Sequence, residues 1–191
     1  MCTPVTHAVL AIGLGKAFTA RKMPLRFWLI LMWLSACPDA DVLAFNFGIP
    51  YGAFFGHRGF SHSLLFAFLV GLAVSAVTYR KLVFRFWPLA NLYFLVIASH
   101  GFLDSFTNGG LGIAFFSPFD NQRYFFPWTP IEVPDIGLHF FSSGRAWATL
   151  SSEICIVWLP ALVFISAIMG VRRLNTNRMR RNEKGPKPLQ E

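Results

Sequence analysis

Apolar residues fall into five stretches, separated by polar or Gly- and Pro-rich turns. The first runs from about Pro4 to Ala20 and is broken by Gly13, Gly15 and Lys16. The second, Pro24 to Cys37, is strongly apolar but short, and the third runs from Ser63 to Tyr79. The fourth, Leu82 to Leu103, carries Arg85, Pro88 and Asn91, so its lipid-embedded part is expected to begin after Pro88. The fifth, Ile154 to Val171, is an 18-residue apolar run with Pro160 inside it. A spanning helix wants about 20 apolar residues, so several of these must tilt or pack inside a bundle that shields their polar groups. The pattern predicts an all-α, polytopic membrane helical bundle of four to five transmembrane helices, the first segment being the weakest candidate. Between them lie two Gly-, Pro- and aromatic-rich loops, about Pro38 to His62 and Asp104 to Ser152. The second is long and without helical or strand period, the mark of a functional cover.

Composition agrees. Of 191 residues, 54% are hydrophobic and 14% charged, against about 25% charged in an ordinary soluble domain; the mean hydropathy is +0.50. Disorder is excluded, and the composition argues against a soluble globular fold. The net charge of +8 does not indicate nucleic acid, because seven basic residues cluster between Arg172 and Lys187, directly after the fifth apolar stretch. Such a cluster is a topology signal and an anionic-lipid contact. If all five segments cross, fourteen Lys and Arg residues collect on one side, and only Arg58, Arg123 and Arg145 on the other. By the positive-inside bias the N-terminus faces out, the C-terminus is cytoplasmic and both long loops are extracytoplasmic. The start of the chain lacks a basic region followed by a cleavable apolar one, so insertion is expected to rely on the internal segments. Residues 1–174 read as one membrane-embedded domain and 175–191 as a basic, disordered cytoplasmic tail. Cys2, Cys37 and Cys155 show neither metal-type spacing nor a disulfide framework.

That topology, counted from Lys and Arg alone, places His7, His57, His62 and His100 on one membrane face with Asp39, Asp41 and Asp104. Ionisable groups in or beside membrane helices are costly and usually functional. Together these form an N/O ligand set suited to zinc or a neighbouring divalent metal. His100 and Asp104, in SHGFLD, are four residues apart and share a helix face. Each motif also has a plain reading. SHGFLD gives a hydrogen-bonded pair, PDAD around Asp39 and Asp41 a capped turn, HRGFSH a loop in which Ser61 caps the next helix, and THAV a helix start capped by Thr6. Several such readings holding at once on one face are less economical than a metal site.

THAV, PDAD, GHRGFSHSLL, SHGFLDSFTNGG and SPFDNQRYFFPW together resemble the YdjM family of bacterial inner-membrane proteins, described as membrane-bound metal-dependent hydrolases. That family looks distantly related to the zinc-dependent phospholipases C and single-strand nucleases. The resemblance implies His7, Asp41, His57, His100 and Asp104 as metal ligands, with Asp39 and His62 as ligands or their supporting partners. Further His-rich motifs of the soluble enzymes are missing, which implies one or two ions, Zn2+ first. A phosphoryl substrate needs cations beside the metal; Arg58 is the first choice and Arg123 the second, each readable also as an arginine reaching for lipid headgroups. Asp41 or Glu153 is the candidate proton acceptor, Glu153 alternatively serving as a carboxylate at a helix start. Thr107 and Asn108, in TNGG, read equally as substrate contacts or as a turn, and His139 as a loop residue. The expected function is a metal-dependent hydrolase of a phosphoester, a lipid or its headgroup, at the extracytoplasmic face of the inner membrane. The alternative is a non-enzymatic metal-binding membrane protein in transport, envelope or stress response. A transporter would hold its polar site near the bilayer midplane.

Overall fold

Helices begin where the chain offers a cap and end where it cannot continue. The computed structural model describes residues 2–133 and 145–183; His139 and residues 184–191 lie outside them, as does the side chain of Arg145. Thr3 caps α1 (Pro4–Phe18), with Pro4 in the first turn, where its missing N–H is harmless. α2 (Leu25–Ala36) starts after Pro24 and continues into a 3-10 stretch, Cys37–Phe47. Ser63, not Ser61, caps α3 (Leu64–Leu82) by accepting the Phe66 N–H, and Thr3, not Thr6, caps α1. α3 closes at Val83, which adopts a left-handed φ of 58°. α4 (Phe86–Asp104) therefore begins four residues later than its apolar stretch suggests.

The last helix is longer at both ends than its apolar core. α5 (Arg145–Glu153) runs through a π-turn, Ile154–Trp158, into α6 (Leu159–Glu183). Pro160 cannot donate a backbone N–H, and the wider turn sits immediately before it, with the Leu159 N–H bonding back to the Ile154 carbonyl. Residues 175–183, expected in a disordered tail, are helical. Among the described residues, four helical stretches are long and apolar enough to cross a membrane: Leu25–Phe47, Leu64–Leu82, Phe86–Asp104 and Ala146–Thr176. α1 is apolar but shorter.

α4 is the central helix, its Leu89, Leu92, Tyr93, Val96 and Ile97 packing with Phe27, Leu31 and Leu34 of α2, Ala67 of α3 and Ala11 of α1. Close approach of α3 to α4 requires Gly71, where a Cβ would lie 2.9 Å from the Phe94 backbone nitrogen. α6 leaves Leu162, Val163, Phe164 and Val171 exposed, as expected of a lipid-facing helix. The passes alternate in direction. One end of the bundle gathers Thr3 with Glu153, and Asp39 with His62 and His100. At the other end Arg26 donates to the Lys81 carbonyl at 2.6 Å and Arg172 to the Lys16 carbonyl at 3.0 Å.

Candidate metal centre

His100, fully buried near the end of α4, stands 2.6 Å by its Nδ1 from the Ser35 carbonyl. A carbonyl can only accept, so Nδ1 carries the proton and Nε2 presents its lone pair. His62, at the end of a 3-10 turn (Phe60–His62), is arranged alike: Nδ1 lies 3.1 Å from Asp41 Oδ2 and Nε2 points at Asp39. Its Nε2 is 3.6 Å from Asp39 Oδ1, and that oxygen is 3.2 Å from His100 Nε2. Burial works against a charged His62, but the Asp39 and Asp41 carboxylates beside it outweigh that and push its pKa up to about 9. The carboxylates thus draw a positive charge to this imidazole.

Asp104 completes the group: ligand atoms of Asp39, His62, His100 and Asp104 all lie within 4.8 Å of one another. His7, on α1, stacks on His100 at a centroid distance of 3.7 Å and places Nε2 3.5 Å from Asp104 Oδ1. His7 Nε2, His62 Nε2, His100 Nε2, Asp39 Oδ1 and Asp104 Oδ2 are buried and without a hydrogen-bond partner. Such orphaned atoms are rare in folded proteins and call for an explanation. Imidazole nitrogens and carboxylate oxygens from four residues within 4.8 Å, with His7 joining through Asp104, fit a divalent metal. Charge points the same way: among the described residues, only Asp104 of the three carboxylates here pairs with a guanidinium, that of Arg58, while Asp39 and Asp41 face imidazoles.

Asp41 is a hub. Its Oδ1 accepts from His57 Nδ1 at 2.7 Å, and its Oδ2 from the Ser61 hydroxyl at 2.5 Å and the Arg58 N–H at 3.1 Å. With His57 and His62 it forms a second group of potential ligands. A carboxylate holding the far nitrogen of a ligating histidine fixes its tautomer and its aim. The Arg58 amide reaches Asp41 because the residue sits at φ 64°, a left-handed conformation that costs energy off glycine. Its side chain turns the other way. Nη1 donates to the Gly109 carbonyl at 2.6 Å, and Nη2 donates to Thr107 Oγ1 at 3.0 Å and lies 3.4 Å from Asp104 Oδ2. Gly110, at φ +89°, leaves the room: a Cβ there would be 2.7 Å from Arg58 Nη1.

The remaining candidates separate. Glu153 is fully buried, and it caps α1 rather than the start of its own helix. It accepts from the Thr3 N–H at 2.5 Å, the Thr3 hydroxyl at 2.6 Å and the Thr6 hydroxyl at 2.7 Å. Arg123 binds the carbonyls of His57, Tyr51 and Ala53, so its charge staples the loop before HRGFSH. Thr107 donates to the Asp104 carbonyl at 2.7 Å, and Asn108 ties the turn to Glu132 and Val133. TNGG is thereby a turn that supports Arg58.

Cys2 is a residue that sequence reasoning missed. Its N–H donates to Asp104 Oδ1 at 2.7 Å, and its thiol groups with His7 and Asp104. Burial and the Asp104 and Glu153 carboxylates push that thiol well above its ordinary pKa. No spacing marks it; the signal is only its place one residue before the Thr3-Pro4 cap.

The arrangement defines a multi-pass helical membrane protein with a buried His and Asp cluster at one end of its bundle. Residues 1–178 match the family described as YdjM inner membrane protein, and the chain belongs to that family. It is 36% identical to the inner membrane protein YbcI of Escherichia coli (strain K12) over 176 residues, covering 91% of this chain and 100% of that relative. No solved structure matches it. Family and apolar helices together make it a multi-pass protein of the inner membrane.

Proposed function

We propose that the protein is a metal-dependent hydrolase of phosphoesters, acting on a lipid or its headgroup at the extracytoplasmic face of the inner membrane. The observation that carries the metal is the set of orphaned, buried ligand atoms of His7, Asp39, His62, His100 and Asp104, the last four residues meeting within 4.8 Å and His7 adjoining Asp104. A bound divalent ion, Zn2+ first among candidates, supplies a Lewis acid that polarises a phosphoryl oxygen and lowers the pKa of water. The protein's own groups do the positioning. Ser35 and Asp41 aim His100 and His62, and Arg58 holds Asp104. The His57–Asp41 pair is placed to accept a proton, Asp41 Oδ1 holding the Nδ1–H while Nε2 takes the proton. Glu153 has no part in this, its oxygens being committed to α1.

A lipid rather than a soluble ester is favoured by the membrane-spanning helices that carry the cluster. An apolar cavity of about 460 Å³, lined by Leu10 and Leu14 of α1, Leu95, Ser99 and Phe102 of α4, and Phe116, offers room for an acyl chain but includes none of the cluster's residues. A non-enzymatic metal-binding role has one observation in its favour: both Nη atoms of Arg58 are held by protein oxygens. Metal per mole of purified protein, followed by hydrolysis of phosphatidyl and polyprenyl phosphoesters, decides between them. The hydrolase predicts bound metal and turnover that chelation abolishes. Metal without turnover supports the binding role, and absence of metal under metal-replete conditions overturns both.

A further inference from the structure

The basic end of the bundle encloses a cavity of about 430 Å³ between the end of α1 and α6, with Lys16, Arg21, Arg172 and Arg173 in its lining. Among the described residues none of these four cations pairs with a carboxylate. Neutral groups hold three of them in place. Lys16 Nζ lies 4.7 Å over the Trp28 ring. Arg21 donates to the Val83 carbonyl at 3.2 Å and lies over the Phe84 ring. Arg172 donates to the Lys16 and Ala17 carbonyls, satisfying the open end of α1. Positions are therefore fixed while the charge stays uncompensated.

We infer that this cavity binds the phosphate of an anionic phospholipid, at the opposite end of the bundle from the His and Asp cluster. Guanidinium and ammonium groups converging on one cavity suit a phosphate. Basic pockets between membrane helices at the headgroup level are a recurring form of lipid recognition. Apolar surface continues from the cavity: Met169 lines it, and Leu162, two turns earlier on the same face of α6, lies exposed. A soluble phosphate has no use for that surface, whereas an acyl chain does.

The test uses full-length protein in a neutral detergent, titrated with phosphatidylglycerol, phosphatidylcholine or inorganic phosphate, and read by native mass spectrometry and thermal shift. Phosphatidylglycerol should bind and raise the melting temperature; the other two should do neither at equal concentration. Arg21→Gln with Arg173→Gln should weaken phosphatidylglycerol binding about tenfold or more, while Arg80→Gln with Lys81→Gln, at the same end but outside the cavity, should leave it unchanged. Arg173→Glu alone, at an exposed position, should give a loss in the same direction if the double variant folds poorly. Equal losses in both double variants, an unchanged affinity in Arg173→Glu, or equal binding of phosphatidylcholine or inorganic phosphate would each overturn the assignment.

Discussion

His100 is held by one nitrogen and offers the other, and Ser61 shows how far such support extends. The Ser61 hydroxyl touches no orphaned ligand atom; it donates to Asp41, which faces His62 and His57. A metal centre built this way should respond in graded fashion. His100→Ala and Asp104→Ala should each abolish high-affinity metal binding and any hydrolysis. Ser61→Ala should weaken metal binding by about 10-fold, the lower end of what supporting partners contribute. Metal titration of detergent-purified variants reads all three, and an unchanged affinity in Asp104→Ala would remove it from the ligand set. The histidines and aspartates were legible in the sequence, because apolar segments assign each motif to an end of a helix. Their partners were not. Ser35 contributes a carbonyl, Cys2 an amide, and Gly109 a carbonyl, and backbone groups carry no residue-type signature.

Helices position the site by where they start and stop, and α1 is the clearest instance. It is shorter than the four stretches long enough to cross a membrane, yet it carries His7 and rests on a carboxylate from far along the chain. Glu153 accepts three hydrogen bonds from Thr3 and Thr6, and Trp158 donates from the π-turn to the Thr6 hydroxyl at 2.8 Å. The five apolar stretches foretold the helices, but a cap supplied across about 150 positions of sequence could not be read from local pattern. Glu153→Ala should therefore act on stability first. Leaving buried donors without an acceptor costs about 1–3 kcal/mol each, and reorientation of the two hydroxyls should hold the total to about 3 kcal/mol. Glu153→Gln should recover part of it. Thermal unfolding together with metal content tests this. A catalytic Glu153 predicts an unchanged melting temperature with lost turnover; a cap predicts lowered stability in a protein that still loads metal.

At the scale of the whole molecule, the bundle separates its chemistry by end. Carboxylates and histidines lie together where α1 begins and α4 finishes, while arginines and lysines lie where α1 finishes and α4 begins. Fixed charges of this kind decide orientation during insertion, because basic flanks stay on the cytoplasmic side. The two ends are separated by α4, whose 19 residues span about 28 Å at 1.5 Å per residue. That exceeds the roughly 8 Å Debye length of physiological salt, so an aqueous field from the basic end does not tune the cluster. The expectation is that the cluster faces away from the cytoplasm. A cysteine at Asn121, in the long loop beside HRGFSH, should react with a membrane-impermeant thiol reagent in intact spheroplasts. One at Thr176, on the basic end of α6, should react only after permeabilisation. Both belong in a background with Cys37 and Cys155 replaced by serine, since Cys155 is exposed and Cys2 is buried. Reversed labelling would put the His and Asp cluster in the cytoplasm and end the case for an extracytoplasmic substrate, while leaving the geometry of the metal centre intact.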